Sequence, residues 1–580
     1  MLTRRDLLRA LAATSAGTLA ANTFASLRAA DTQTWQRGAV ATVQPLATKA
    51  GVNALRQGGN AVDAAIAAAV TLGVVDQHNS GLGGGCFILI RQANGKLLAI
   101  DGRETAPAKA SRDMYVRDGK AVPALSQTGP LAVATPGALA AYALALNKAG
   151  KLKLAEVVQP AADLAAKGFA LDRNYARKLK STADKLAQFP GSKGALLKAD
   201  GTAYEEGETL KQPDLARTYQ QIAKHGIDWF YRGEFAAMVE AWMKANGGIL
   251  TAADFAAYQP IVREPLQTTY RDYRIIGFPP PSSGGVHVAQ MLNMLEQFEL
   301  ADLNKQGRGA LEHLLAEVMK LAFADRAYWL GDPDFANVPR GLIDKAYARE
   351  LAAKIDLNKA SEVKSYGRPP RATENIFAKP PADAPIIDKH TTHIAAADAE
   401  GNWVAITATV NTTFGSKIIV PGTGLVLNNE MDDFSISPGQ PNAFGLIGAE
   451  ANAVQPGKRP LSSMSPTIVL RDNQPFLTVG AAGGPTIITQ VLQVLVRVLD
   501  LHQPLSEAVA APRVHHQWRP DELRVEQSLP AATVAALQDR GHKIDATAGI
   551  GVCQAVSFDP ATKAFTGVHD PRVPGSAEGL

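Results

Sequence analysis

Two cysteines in 580 residues, Cys86 and Cys553, are too few and too far apart for a disulfide frame. The fold must rest on its apolar core, and two buried thiols rather than a bridge are expected. Several enzyme signatures are also missing: no G-x-S-x-G elbow, no H-E-x-x-H, no Walker loop and no paired C-x-x-C occur. That removes the usual motif-borne readings of a serine hydrolase, zinc protease, phosphate-loop enzyme or zinc ribbon. No metal and no cofactor is expected. The glycine-rich "GLGGGC" fails as a dinucleotide loop, because its third glycine position is Cys86 and a strand-like run follows where a helix is needed. No low-complexity block or short repeat stands out. No apolar run reaches a spanning length near the N-terminus, since Asn22 and Arg28 interrupt it, so a permanent membrane anchor is not expected.

What is present suits a large α/β protein, with 46% hydrophobic residues. The opening "TRRDLLRALAATSAGTLAANTFASLRAAD" pairs Arg4-Arg5 with an Ala-rich apolar stretch and small residues, the layout of an export signal of twin-arginine type over residues 1–30. A periplasmic or secreted location follows as an expectation. Losing this segment removes four arginines and one aspartate, three of the four net positive charges. The remainder is nearly neutral, so the pI near 8.8 is no argument for nucleic acid as a partner.

Along the chain, "ATKAGVNALRQGGNAVDAAIAAAVTLGVV" reads as two helices divided at Gly58-Gly59, the second capped by Asn60 with Asp63 in its first turn. Cys86–Ile90 is a buried-strand run, and Asn94-Gly95 turns it into a second strand, Lys96–Asp101. Residues 130–355 read as mostly helical. From Asn358 to His390 periodicity stops in a Pro-rich tether. Beyond it the chain is strand-rich, ending in the helix "IITQVLQVLVRVLDL". Such alternation suits a layered α/β protein whose halves share one sheet system.

The strand after the tether opens abruptly at Thr391. With residues 398–402 as its loop, the hairpin pairs Ala397 with Trp403 and sets Thr391 opposite Thr409, Asn411 sharing their face. Taken alone, this is also what a structural hairpin would look like. Further on, "LNNEMDDFS" places Glu430 and Asp433 three apart, "KRPLSSMSPT" offers Ser462 and Ser463, and "VGAAGGPTI" sets Gly483-Gly484 between a strand and a helix. Bare N–H groups there can face an anion. His393, His515 and His516 lack a third ligand or triad spacing and read as structural.

Together these blocks, with "GGNAVDAAIAAAVTLGVV", "SGLGGGCF", "DGRETAP", "LAFADRAYWLGDP", "TTH", "NTTFGS" and "APRVHHQW", resemble the gamma-glutamyltransferase (gamma-glutamyltranspeptidase) family of N-terminal nucleophile hydrolases. The resemblance implies a four-layer αββα fold built from two chains cut from one precursor between His390 and Thr391. Residues 31–390 would form the large subunit and 391–580 the small one, staying together as a heterodimer. The freed Thr391 would attack γ-glutamyl amides such as glutathione and pass the group to water or to an amino acid or peptide acceptor. A hydroxyl needs an adjacent base, and a new α-amine titrating near ~8 supplies one.

By the same resemblance Thr409 supports the nucleophile, and Gly483 and Gly484 hold the oxyanion. Arg103, Ser462 and Ser463 bind the donor's α-carboxylate; Asn411, Glu430 and Asp433 bind its α-ammonium. Read without the other blocks, Arg103 would be a surface residue paired with Glu104. Pro485 departs from the family's pattern but lies after the two presumed donors. Residues 438–449 have the length of a lid, with Phe444 as its tip, able to cover the pocket but not to hydrogen-bond across it. Two other readings are a glutaryl or cephalosporin acylase of the same superfamily, and a non-catalytic exported binding protein. The first has no use for two acids facing an ammonium; the second would be favoured by a lost Thr391, glycine pair or acid pair, and none is lost.

Overall fold

Alternation of apolar side chains on both faces is what a strand buried in the middle of a layered protein requires, and the hairpin after the tether has it. In the computed structural model, which describes residues 33–373 and 390–580, its strands β8 (Thr392–Asp398) and β9 (Trp403–Thr409) are buried throughout. Ile394, Ala396, Val404 and Ile406 join one core; Ala395, Ala397, Trp403 and Ala405 join a second. The export signal and tether residues 374–389 fall outside the described residues.

Two seven-stranded sheets stack face to face. The first runs β14 (Ser576–Gly579), β2 (Gly38–Thr42), β8, β9, β3 (Gly85–Arg91), β4 (Leu97–Gly102), β5 (Ile261–Arg263). The second runs β1 (Thr34–Trp35), β13 (Ala564–His569), β12 (Val552–Asp559), β11 (Gln474–Ala482), β10 (Thr467–Arg471), β7 (Tyr273–Gly277), β6 (Leu266–Tyr270). Helices α1 (Pro45–Arg56), α2 (Ala61–Val75) and α3 (Ala138–Ala149) cover the first sheet; α4 (Gly284–Leu295) and α6 (Thr486–Leu499) cover the second, with α5 (Ala310–Trp329) packed against α4. This is the αββα order, and both sheets mix strands from before and after residue 390.

Local chemistry explains the elements that frame the site. All fifteen residues of α2 are buried, as expected for a helix apolar on every side. Asn60 caps it, accepting from Val62 N at 2.9 Å while Asp63 accepts from Asn60 N at 2.7 Å. Gly480 of β11 carries no side chain because a Cβ there would lie 2.2 Å from the His393 ring. That fit lets His393 sit between the sheets, neutral by burial and bonded to Thr407 Oγ1 at 2.9 Å. Cys86 and Cys553 are free buried thiols.

Residues 130–355 are mostly helical, as expected, but they also hold β5, β6 and β7, which supply an edge to both sheets. Pro265 separates β5 from β6, and "LQTTY" exposes every second residue, so their edge placement hides the signal among helices. Among the described residues no helix is long and apolar enough to cross a membrane.

Candidate active site

The hairpin register is the one its loop length dictates: Ala397 pairs with Trp403 and Thr392 with Ala408. Thr391 and Thr409 lie just beyond the pairing, their Oγ1 atoms 3.2 Å apart, on the face that looks toward the second sheet. The directions of the bonds can be assigned, since carbonyl oxygens only accept. Thr391 Oγ1 donates to the His390 carbonyl oxygen, so Thr409 donates to Thr391. Thr409 Oγ1 in turn accepts from the Asn411 amide at 2.9 Å. The hydroxyl that would react is thus aimed at the peptide bond on its own N-terminal side.

His390 is held too. Its Nδ1 meets Asn79 Oδ1 at 3.0 Å and its Nε2 meets the Thr413 hydroxyl. Burial, with Lys178 adding to it, keeps this imidazole neutral. Asn411 donates from Nδ2 to the Asn429 carbonyl at 2.9 Å, fixing the loop after β9 to the segment that carries the acids.

Beside Thr391 lies a narrow pocket of about 20 Å³ whose lining includes Arg103, Thr409, Asn411, Glu430, Asp433, Ser462, Ser463, Gly484 and the Phe444 ring. Residues from six separated segments therefore converge. Arg103, just past β4, is buried, and its position differs from a carboxylate receptor standing free beside the serines. One Nη bonds Glu430 and the other bonds Asp433, while Nε donates to the Pro460 carbonyl at 3.1 Å. Glu104 is no surface partner: it is buried, with its Oε2 3.7 Å from Arg103. Burial pushes the Glu104 carboxyl up to about 7 against the pull of Arg103, and burial also raises Glu430, helped by the acids Glu104 and Asp433.

Gly483 and Gly484 follow β11 with φ of 133° and 57°, conformations that favour glycine. Neither amide donates a hydrogen bond among the described residues. A Cβ on Gly484 would meet the Phe444 ring at 3.0 Å, so the aromatic tip lies directly on this turn. Pro485 caps α6 without touching either amide. On its other side Thr391 opens, with Gly483, into a groove of about 740 Å³.

His515 and His516 do not line the pocket: His515 bonds Thr489 at 2.9 Å and His516 pairs with Asp521 at 3.2 Å. His313, Glu317 and His542 form a group of metal-ligating type away from the site. There Lys320 already pairs with Glu317 at 2.5 Å, and His313 Nδ1 meets His542 Nε2 at 2.7 Å. Sequence reading missed Arg326, on α5 behind Ser463. Its signal was weak: an Asp325-Arg326 pair in a largely buried helix that also carries Glu312, Glu317 and Lys320.

A sequence profile of the gamma-glutamyltranspeptidase family matches residues 47–580. The glutathione hydrolase proenzyme of Escherichia coli (strain K12) is 44% identical over 541 residues, covering 93% of this chain and 90% of that one. Among solved structures, cephalosporin acylase from Bacillus halodurans superposes with TM-score 0.84 at 29% identity, covering 95% of this chain and 97% of that one. Helicobacter pylori gamma-glutamyltranspeptidase gives TM-score 0.55 at 39% identity over 57% of this chain and 96% of that one.

Proposed function

The chain belongs to the gamma-glutamyltranspeptidase family, and from that premise we propose that it is a self-processing γ-glutamyl hydrolase and transpeptidase acting on glutathione and similar γ-glutamyl amides. The observation that carries this reading is the position of Thr391 Oγ1, between its own preceding carbonyl and a narrow pocket lined by both signs of charge.

Maturation begins with attack of Thr391 Oγ1 on the His390 carbonyl carbon. The peptide bond to Thr391 N gives way to an ester, which water hydrolyses, leaving His390 as a carboxylate and Thr391 with a free α-amine. That amine is a base where the amide was not. In turnover it accepts the hydroxyl proton, directly or through a water, as Oγ1 attacks the γ-carbonyl. The Gly483 and Gly484 amides stabilise the oxyanion; the leaving amine departs protonated. Water or an acceptor amine then releases the γ-glutamyl group from Thr391.

The donor's head is a zwitterion. Glu430, Asp433 and the Asn411 carboxamide meet its ammonium; Arg103 and the two serine hydroxyls meet its carboxylate. An acylase acting on glutaryl groups would gain nothing from two buried acids, which favours γ-glutamyl donors over the activity named for the Bacillus halodurans structure. The subunits are residues 31–390 and 391–580, and the twin-arginine signal directs export.

Purified protein should give two bands on a denaturing gel, the smaller beginning Thr-Thr-His. It should release cysteinylglycine from glutathione, with glycylglycine added to distinguish transfer from hydrolysis. A fully active uncut chain would overturn the proposal.

A further inference from the structure

Arg103 and Arg326 are both buried near the serine pair, but only Arg103 is in direct contact with acids; Arg326 feels Asp433 from beyond contact distance and is opposed by Arg103. Arg103 is engaged by Glu430 and Asp433, whereas Arg326, 4% exposed, makes no ion pair among the described residues. Its partners are neutral: Nε donates to Ser283 Oγ at 2.9 Å and Nη2 to Ser463 Oγ at 3.0 Å. A guanidinium buried without an anion in contact is costly, and it sits one hydroxyl behind the pocket.

The bonding fixes which way the hydroxyls point. A guanidinium only donates, so Ser463 must spend a lone pair on Arg326 and keeps its O–H for another acceptor. Ser283 takes the Nε bond and donates to the Ser462 carbonyl at 2.7 Å, tying Arg326 to the second serine's backbone. Ser462 Oγ accepts from Met464 N at 3.1 Å, which leaves its O–H free as well. Both serine side chains line the pocket. Two hydroxyl donors backed by a buried positive charge that touches no acid, and that only Asp433 offsets from beyond contact distance, make a receptor for a carboxylate.

We propose that Arg326 is the positioning residue for the donor's α-carboxylate: it orients the Ser463 hydroxyl toward the pocket and supplies the positive charge that this carboxylate neutralises. The inference rests on the γ-glutamyl reading above and goes further, because it gives the carboxylate end a charge independent of Arg103. It follows that donor selection is split. One end of the pocket reads a carboxylate through Arg326 and the serines, and the other reads an ammonium through Glu430 and Asp433.

The test compares three anilides in the mature enzyme: γ-glutamyl-p-nitroanilide, glutaryl-p-nitroanilide without the amine, and 4-aminobutanoyl-p-nitroanilide without the carboxylate. Wild-type turnover of the first examines the proposed function; only the pattern of loss examines Arg326. Arg326→Gln should lower kcat/KM about 10- to 100-fold for the two carboxylate donors, mainly through KM. For the third donor the change should stay under about threefold. Arg326→Lys should recover part of the loss by restoring charge. Where turnover of a poor donor is too slow, the Ki values of L-glutamate, glutarate and 4-aminobutanoate against the first anilide give the same comparison. If Arg326→Gln does not mature, Arg326→Lys and Ser463→Ala should penalise the same two donors. An equal fall on all three, or no change on any, overturns the proposal.

Discussion

Two cavities meet at Thr391 and differ in almost every physical respect. The donor pocket holds about 20 Å³, room for roughly one water, and its charges are buried and mutually engaged. The groove on the other side holds about 740 Å³, and pairs on its wall such as Arg524–Asp545, at 2.8 Å, are partly exposed. A narrow pocket with largely buried charges discriminates strongly, because a wrong ligand leaves ions unmatched in a low dielectric. An open groove discriminates weakly, because water screens its charges. On the proposed reading, one side of the nucleophile selects the donor and the other admits an amine or water. Filling the pocket requires that the donor's own ions replace the Arg103 pairs and that Phe444 give way.

Substitutions on the two sides should separate cleanly. Thr391→Ala, which belongs to both, should leave a single uncut chain and lower activity at least about 1,000-fold, seen on a gel and in a glutathione assay. On the pocket side, Asp433→Ala should lower kcat/KM for glutathione roughly 10- to 150-fold while the KM for glycylglycine stays put. An unchanged donor constant would remove Asp433 from the pocket's function.

The pocket side should also titrate. Glu104, ordinarily near 4.5, is raised to about 7, so the folded state holds a proton that the unfolded state releases. Its contribution is complete below pH ~4.5 and is lost as pH rises toward 7, a few kcal/mol at most. In the uncut Thr391→Ala background, Glu104→Gln should narrow the difference in melting temperature between pH 5 and pH 8. A difference as wide as before would show that Glu104 is not the group responsible. The smallest effect belongs to the groove: Arg524→Ala should leave hydrolysis within about twofold and shift acceptor KM only a few-fold, as exposed charges do. A large loss of hydrolysis would mean the two sides are not separate.

How far the sequence could be read follows the same division. The Thr391–Thr409 juxtaposition was legible, because a period of two and a fixed loop length leave one register. Helix α2 and its Asn60 cap were legible for the same local reason. The strands at 261–277 were not, since edge strands with alternate polar residues resemble loops between helices. The ion pairs of Arg103 join residues 327 and 330 positions away, and no local pattern encodes which of its possible partners it takes. Arg326 was one of several charges on a largely buried helix, and nothing local told it from Glu317 or Lys320, which pair with each other.

The shuffled order of the first sheet has a consequence for the history of the molecule. Reading across it, β14, β8 and β9 come from after residue 390 and β2, β3, β4 and β5 from before it, with β2 wedged between β14 and β8. Neither piece owns a complete sheet, so each alone would bare strand edges and an open core. Severing the backbone at 390 therefore loses no more of the architecture than one covalent bond. With the proposed cut at 390, folding as one chain is the direct route to this interleaving, because both halves of each sheet are then tethered to each other while they pair.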